Sequence, residues 1–451
     1  MVNERLSERK VFAFAFSMFG ASLFYSLVNS YFNFYATDVV KVPAGLLGTV
    51  NFIIKLGMVL IVIFLASMVQ NGHSEKYGKY RKWIYIATPV FTLTTILTFT
   101  PIKGSPLFLV LYYCVMYALA SVAHSLAGNA QLALMTEMGK NEEDRRRLSA
   151  RRSLLQDISK VLFSASFVPL LIKIGGDQTN ARGYFIWALI IAVISCTGYL
   201  SLLKAAKPYD VYHQEEKKAT AQRHTVGQML QTITKNKPLI ILLLSETFKF
   251  TAFMIFIQTF AYYFGYILYD FSSITPIVTC ASIVSIISSL CAPAIIKLIG
   301  RKACNILTLS LHAGAVIIPR ILPPNLLVFA IAFSVTYFAM SLQTCVGVIL
   351  FADTAKFYEY KENLDVTGFV MGLYTFPIQL GLAISSGAAN WALQAIGYVP
   401  GADMTVGQSN GLQNIILTLP GILFLISVAL TIVYPLSEQR MREINEGLAS
   451  R

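Results

Sequence analysis

Stretches of twenty or more predominantly apolar residues recur along this chain with only short polar breaks. A bilayer's hydrocarbon core, about 30 Å thick, is crossed by roughly 20 residues of helix. Runs of that size fall at 11–36, 44–70, 83–101, 106–137, 152–174, 182–203, 237–266, 272–297, 303–320, 324–352, 366–395 and 411–435, which predicts about twelve transmembrane helices. Composition agrees, because only 13% of the 451 residues are charged, against about 25% in a soluble domain. Such a chain could not coat a water-facing surface. The start, Met1 to Lys10, is polar, and the first apolar run lacks a small-residue cleavage pattern, so a retained first span is expected rather than a signal peptide.

The longest polar stretch, Lys204 to Lys237, follows the sixth span and includes QEEKKATAQRH, too polar to fold alone. It predicts an all-α membrane protein with a first six-helix bundle (1–203), a linker (204–236), a second bundle (237–437) and a tail (438–451). Of the 36 Lys and Arg residues, 28 lie on one side of the spans, five on the other, and Lys55, Lys160 and Lys249 within spans. Basic short loops stay in the cytoplasm, so both termini are expected there, in a plasma or inner membrane. The net charge of +13 then reflects topology and not nucleic-acid binding. Six scattered cysteines and five histidines without metal spacing predict no metal, cofactor or disulfide framework. No nucleophile with a base, GxSxG or P-loop is present, so catalysis is not expected.

The loop after span two reads Gly78-Lys79-Tyr80-Arg81-Lys82 and that after span eight Gly300-Arg301-Lys302, a weak echo between the halves. It fits an internal repeat, or simply the needs of any short basic hairpin. Around these loops the chain resembles the glycoside-pentoside-hexuronide:cation symporters, the melibiose-permease-like branch of the major facilitator superfamily. The likeness is carried by Tyr35 to Val40 with Gly45 to Gly48, Tyr77 to Trp83, Met135 to Arg152, Ala352-Asp353 through Lys361 to Gly397-Tyr398, and Tyr434-Pro435-Leu436. The resemblance implies a major facilitator fold and cation-driven sugar transport, with a site between the two halves. The family's cation-binding aspartate pair on helix two falls here at Met58 or Val59 and at Val62 or Ile63, and no acid lies between Asp38 and Glu75. The resemblance also matches the family's sugar-site acids to Ser22 and Gly128, its arginine to Ser153 and its lysine to Gln379.

Ionisable groups deep in a bilayer are expensive, so those that persist are functional candidates. Glu246 and Lys249 share a face near the middle of the seventh span, as a proton-sensitive pair or a neutralising bridge. Lys55 offers a tethered cation on helix two, or snorkels. His124, one turn before Gly128, could carry a coupling proton or serve packing; His312 is a weaker candidate. A solute path is expected along Tyr25, Asn29 and Asn33, then Asn129 and Gln131, Gln258, Thr344, Thr375 and Gln379, although such groups also join helices. Thr375 matches a sugar-site residue of the family.

For a cytoplasmic gate the candidates are Arg145 and Arg152 in the first half, and Asp353, Lys356, Glu359 and Asp365 in the second. Lys356 and Asp365 exchange the signs of the family's pair. Pro377, Gly372 and Gly381 are expected to loosen span eleven. Together these features predict a monomeric secondary transporter of a sugar, glycoside or similar organic solute in the lipid bilayer, proton-coupled or a uniporter. A sensor or lipid-handling protein on the same fold is the alternative.

Overall fold

The computed structural model describes residues 6–71, 77–139, 142–210, 233–364, 370–371 and 373–449. Among these, helices α1 (Glu8–Phe34, prolonged by a π turn at Tyr35–Val39), α2 (Ala44–Asn71), α3 (Arg81–Thr98), α4 (Pro106–Met138), α5 (Glu142–Gly175) and α6 (Ala181–Ala206) form one group. The second comprises α7 (Lys237–Tyr266), α8 (Ile274–Ile299), α9 (Arg301–Ile321), α10 (Leu326–Glu362), α11 (Thr375–Ala395), α12 (Val406–Val433, through a π turn at Asn414–Thr418) and α13 (Glu438–Ala449). The described chain divides into two compact units that meet in sequence after Asp210, with residues 399–402 grouped with the first.

Nine of the described helices are long and apolar enough to cross a bilayer. α3 and α11 carry more polar side chains, and those fold back onto their own helix. Thr88, Thr94 and Thr98 of α3 donate to the carbonyls of Ile84, Val90 and Thr94, while Ser385, Ser386 and Asn390 of α11 do the same to Leu382 and Ser386. A hydroxyl satisfied this way adds little cost inside lipid.

Two helices are longer than their apolar runs predict. α5 starts at Glu142, about ten residues before the expected span, and α10 continues to Glu362, ten beyond it. Both extensions are rich in Glu, Arg, Lys and Ala, strong helix formers that hydropathy does not register. Pro377 lies in the first turn of α11, where proline is tolerated. Gly381 brings α11 against α7, since a β-carbon there would sit 2.9 Å from the Thr251 nitrogen. Gly372 lies outside the described residues.

Within the first unit, α1 packs on α6 and α5, α4 on α3 and α2, and α3 on α6. The second unit repeats this scheme helix for helix: α7 on α12 and α11, α10 on α9 and α8, and α9 on α12. The α1–α6 crossing is close because Gly20 faces Ser195 and Gly198 faces the Phe16 carbonyl. At the matching α7–α12 crossing, Ser245 and Ser427 touch instead, their hydroxyls 2.7 Å apart. Small residues at such seams let helices gain van der Waals contact that lipid cannot supply.

The repeat extends to the loops singled out in the sequence. Gly78 and Gly300 adopt φ of 82° and 81°, a region open to glycine at little cost. Behind each, a carboxylate from just past the sixth helix of the unit caps the next helix. Asp210 accepts from the backbone N–H of Lys79, Tyr80 and Arg81 at 3.1, 3.2 and 2.8 Å, and Glu438 from that of Arg301 at 2.7 Å. Both acids meet the positive end of a helix dipole. Residues 438–449, expected as a polar tail, are helical, and Met441 and Ile444 are buried with Tyr358 of α10.

Candidate functional site

In the first unit, candidates of α1, α2 and α4 meet aromatic partners within the unit. The Lys55 ammonium of α2 lies 5.0 Å above the Tyr117 ring of α4, a cation–π contact. One turn earlier, Asn51 is buried with neither end of its amide paired among the described residues. Tyr25 of α1 is 40% exposed and its ring centroid lies 5.6 Å from that of His124. Phe91 of α3 closes the other side of the imidazole at 5.9 Å. Arg152 of α5 is half-buried and within electrostatic reach of His124.

Space opens at the next turn of α4. A β-carbon built on Gly128 would meet nothing within 4 Å. Elsewhere in this unit, His124 Nδ1, Asn129 Nδ2 and Arg152 Nε are buried without hydrogen-bond partners among the described residues. Met58 and Val59, the positions of the first of the family's two helix-two aspartates, are buried apolar residues. The side chains of Val62 and Ile63 lie outside the described set. Asn33 is buried and Asn29 half-buried on α1. Gln131 is engaged elsewhere: its amide donates to the Phe14 carbonyl at 2.9 Å and to Ser17 Oγ at 2.7 Å, tying α4 to α1.

The second unit has a polar core of a different character. Lys249 Nζ donates to Glu246 Oε2, and both side chains are 1% exposed. Gln343 Nε2 donates to Asn305 at 2.9 Å, Asn305 Nδ2 to Thr431 at 3.4 Å, and Thr431 lies 3.0 Å from Ser245 Oγ. α7, α9, α10 and α12 are thereby joined in one network. His312 stacks on Phe424 with centroids 4.6 Å apart, and its Nδ1 lies 2.9 Å from the Thr308 carbonyl. A carbonyl only accepts, so in neutral His312 the proton is assigned to Nδ1 and Nε2 is an acceptor.

Glu246 Oε1, Gln343 Oε1, His312 Nε2 and Asn390 Oδ1 of this unit are buried without a donor among the described residues. The Glu246 carboxylate also abuts Gly347 and Tyr374: a β-carbon at Gly347 would be 3.8 Å from Glu246 Oε2 and 3.8 Å from the Tyr374 hydroxyl. Gln258 donates to Ser385 at 2.9 Å, joining α7 to α11. Thr344 is exposed and bonds its own helix at Met340, Thr375 is exposed at the start of α11, and Gln379 is half-buried.

One gate candidate of the second unit, Asp353, falls into an ion network that the sequence indicated only in part. Arg301 reaches both oxygens of Asp353 at 2.6 and 2.7 Å and both of Glu438 at 3.0 and 3.2 Å. Lys356 donates to Asn445 of α13 at 3.0 Å. Glu359 is half-buried one turn further along α10. Asp365 and the Arg145 side chain lie outside the described residues. Sequence reasoning missed Asn51, Tyr117, Asn305, Arg301 and Glu438. Asn51 and Lys55, one turn apart on an acid-free apolar helix, were detectable by the logic that singled out Lys55.

Residues 13–438 match the family described as MFS/sugar transport protein. The chain belongs to this family. As a member of the major facilitator superfamily it is a multi-pass cell-membrane protein of the transporter class. The Uncharacterized symporter YjmB of Bacillus subtilis is 24% identical, covering 99% of this chain and 96% of its own. The isoprimeverose transporter of Lactiplantibacillus pentosus is 24% identical over 87% of this chain and 81% of its own. The glucuronide carrier protein homolog of Escherichia coli is 22% identical over 98% and 96%. Among solved structures, the nucleoside transporter NupG superposes with a TM-score of 0.67 at 11% identity, covering 96% of this chain and all of NupG, a likeness of fold.

Proposed function

We propose that this major facilitator is a secondary transporter of a sugar, glycoside or similar small organic solute, working by alternating access with both termini in the cytoplasm. It runs as a proton symporter or a uniporter and not on sodium. The observation that carries the reading is the chemistry of α2. Met58 and Val59 are buried apolar residues, and the only described charge deep in that helix is the ammonium of Lys55. A dehydrated sodium ion needs oxygen ligands and, in low dielectric, a carboxylate to offset its charge. A fixed ammonium in the same helix repels it.

The choice of solute class leans on the relatives, whose names include an isoprimeverose transporter and a glucuronide carrier. Tyr25, Asn29 and Asn129 supply the aromatic and amide groups that a polyhydroxylated ligand would use. For the coupling proton the candidates are His124 in the first unit and Glu246 in the second, each with an unpaired buried atom. Uptake of a sugar panel into proteoliposomes under a sodium gradient, a proton gradient or neither tests the reading. Accumulation driven by the proton gradient, or downhill uptake without either, is expected; accumulation driven by sodium overturns it.

A further inference from the structure

Glu246 sits where α7 meets α10 and the head of α11, and one of its oxygens is unmet. Oε2 accepts from Lys249, while Oε1 is buried without a donor among the described residues. A buried carboxylate oxygen left this way bears the full penalty of its removal from water. Its nearest donors are committed. The Lys249 ammonium stands 4.4 Å from the centre of the Phe250 ring as well as on Oε2, the Gln343 amide nitrogen goes to Asn305, and Ser245 is taken up with Ser427 and Thr431. Gln343 Oε1, one turn before Gly347 on α10, is itself an acceptor and cannot help.

Among the described residues the phenol of Tyr374, just before α11, reaches the same place. A β-carbon built on Gly347 would have Glu246 Oε2 and the Tyr374 hydroxyl each at 3.8 Å, and the edge of the Tyr374 ring at 3.4 Å. Both groups thus border one small gap, left open by the absence of a side chain at 347. Tyr374 is held there by Phe351, whose ring meets its own edge-on with centroids 5.3 Å apart, and its nitrogen donates to the Met371 carbonyl at 3.3 Å. A phenol both donates and accepts. It therefore serves either state of the acid, donating to the carboxylate or accepting from the O–H of the carboxylic acid.

We propose that Tyr374 is a positioning residue for Glu246, and that their contact across Gly347 carries the charge state of the acid to the head of α11. The next residue is the exposed Thr375 and one turn further lies Gln379, both solute candidates. A proton on α7 and a solute on α11 are thereby linked through one phenol. Few other ionisable groups stand near. α11 and α12 carry none. Within the membrane α10 brings Cys345, in electrostatic reach of Tyr374, and Tyr337, beside Phe253, while Asp353 lies further along at the cytoplasmic end on Arg301. His312 of α9 is in electrostatic reach of Lys249. The inference rests on the transporter reading above, with Glu246 as the proton carrier.

Two variants of the full chain in proteoliposomes test this. Tyr374→Phe removes the hydroxyl and leaves the ring on Phe351. Gly347→Ala puts a methyl group into the gap at ordinary contact distances and leaves both partners intact. Elution as a monodisperse peak in detergent shows that each variant has folded. The probes are radiolabelled isoprimeverose, D-glucuronate and methyl β-D-glucuronide, each followed as accumulation under a proton gradient and as exchange at equal pH on both sides. In both variants accumulation is expected to fall about ten-fold relative to exchange, the worth of one hydrogen bond to a charged group. A purely structural role lowers the two together.

Equal losses of accumulation and exchange, or a parent-like ratio of the two in either folded variant, overturn the role of Tyr374 while leaving transport standing. Exchange in the parent without accumulation under the proton gradient also overturns it, and marks a uniporter. A parent that carries none of the probes takes the sugar-transport reading down with it.

Discussion

The Asp210 carboxylate stands in the space that a β-carbon at Gly78 would occupy. The glycine's positive φ turns the chain so that three successive N–H groups at the start of α3 converge on that carboxylate. Gly78→Ala therefore meets two penalties, a backbone conformation costing about 1–2 kcal/mol for an L side chain and displacement of a helix cap worth about 1 kcal/mol. We expect the first unit to lose about 2–3 kcal/mol in stability, and Asp210→Asn about 1 kcal/mol. Buried Cys114 and Cys304 report on the first and second unit respectively. In a background without the other cysteines, thiol labelling during thermal unfolding in detergent should show Cys114 exposed earlier in both variants. Labelling of Cys114 at the wild-type temperature would show that the cap is dispensable.

Glu438 plays the same part in the second unit, with a pH dependence that can be signed. Partial burial works to raise its carboxyl, but hydrogen bonds from Arg301 and that residue's charge outweigh burial and hold it below the usual glutamate value. A carboxyl lowered in the folded state contributes stability above the unfolded value, near pH 4.3, and loses it as pH falls through the folded one. At neutral pH Glu438→Gln should destabilise the second unit by on the order of 1 kcal/mol, since the pair is partly exposed. The difference should shrink as the medium is acidified below the glutamate range. Denaturation midpoints for both proteins along a pH series, read at Cys304, measure this; a gap that widens on acidification contradicts it.

How far the sequence discloses the molecule depends on the range of the interaction. Apolar runs locate the helices because crossing lipid is a local requirement on about 20 residues. They stop short at Glu142–Arg152 and at Asp353–Glu362, where helix continues through charged sequence that hydropathy reads as loop. The glycines at 78 and 300 are legible as turns, yet their carboxylate partners lie more than 130 residues away in sequence. Nothing local announces that pairing. The same holds for Arg152, which its neighbours in the chain suggest as part of a basic loop, while the fold brings it within electrostatic reach of His124. Gln131 and Gln258 illustrate the converse: amides that suit a solute path by composition are spent on joining helices.

Glu246 and Lys249 present the sharpest case of a pair whose members cannot be judged singly. Both are buried in α7, three residues apart, and bonded to one another. Removing one partner strands the other's charge, which costs about 3–5 kcal/mol, whereas replacing both with neutral groups of similar volume is often close to neutral. Glu246→Gln and Lys249→Met should each destabilise the second unit by about 3 kcal/mol, and the double variant should return to within about 1 kcal/mol of the parent. Additive losses in the double variant would mean that each side chain has separate obligations in the core. Because the double variant is expected to fold, it also separates the two proton carriers. Solute accumulation under a proton gradient that persists in it assigns the proton to His124, and accumulation reduced to downhill exchange assigns it to Glu246.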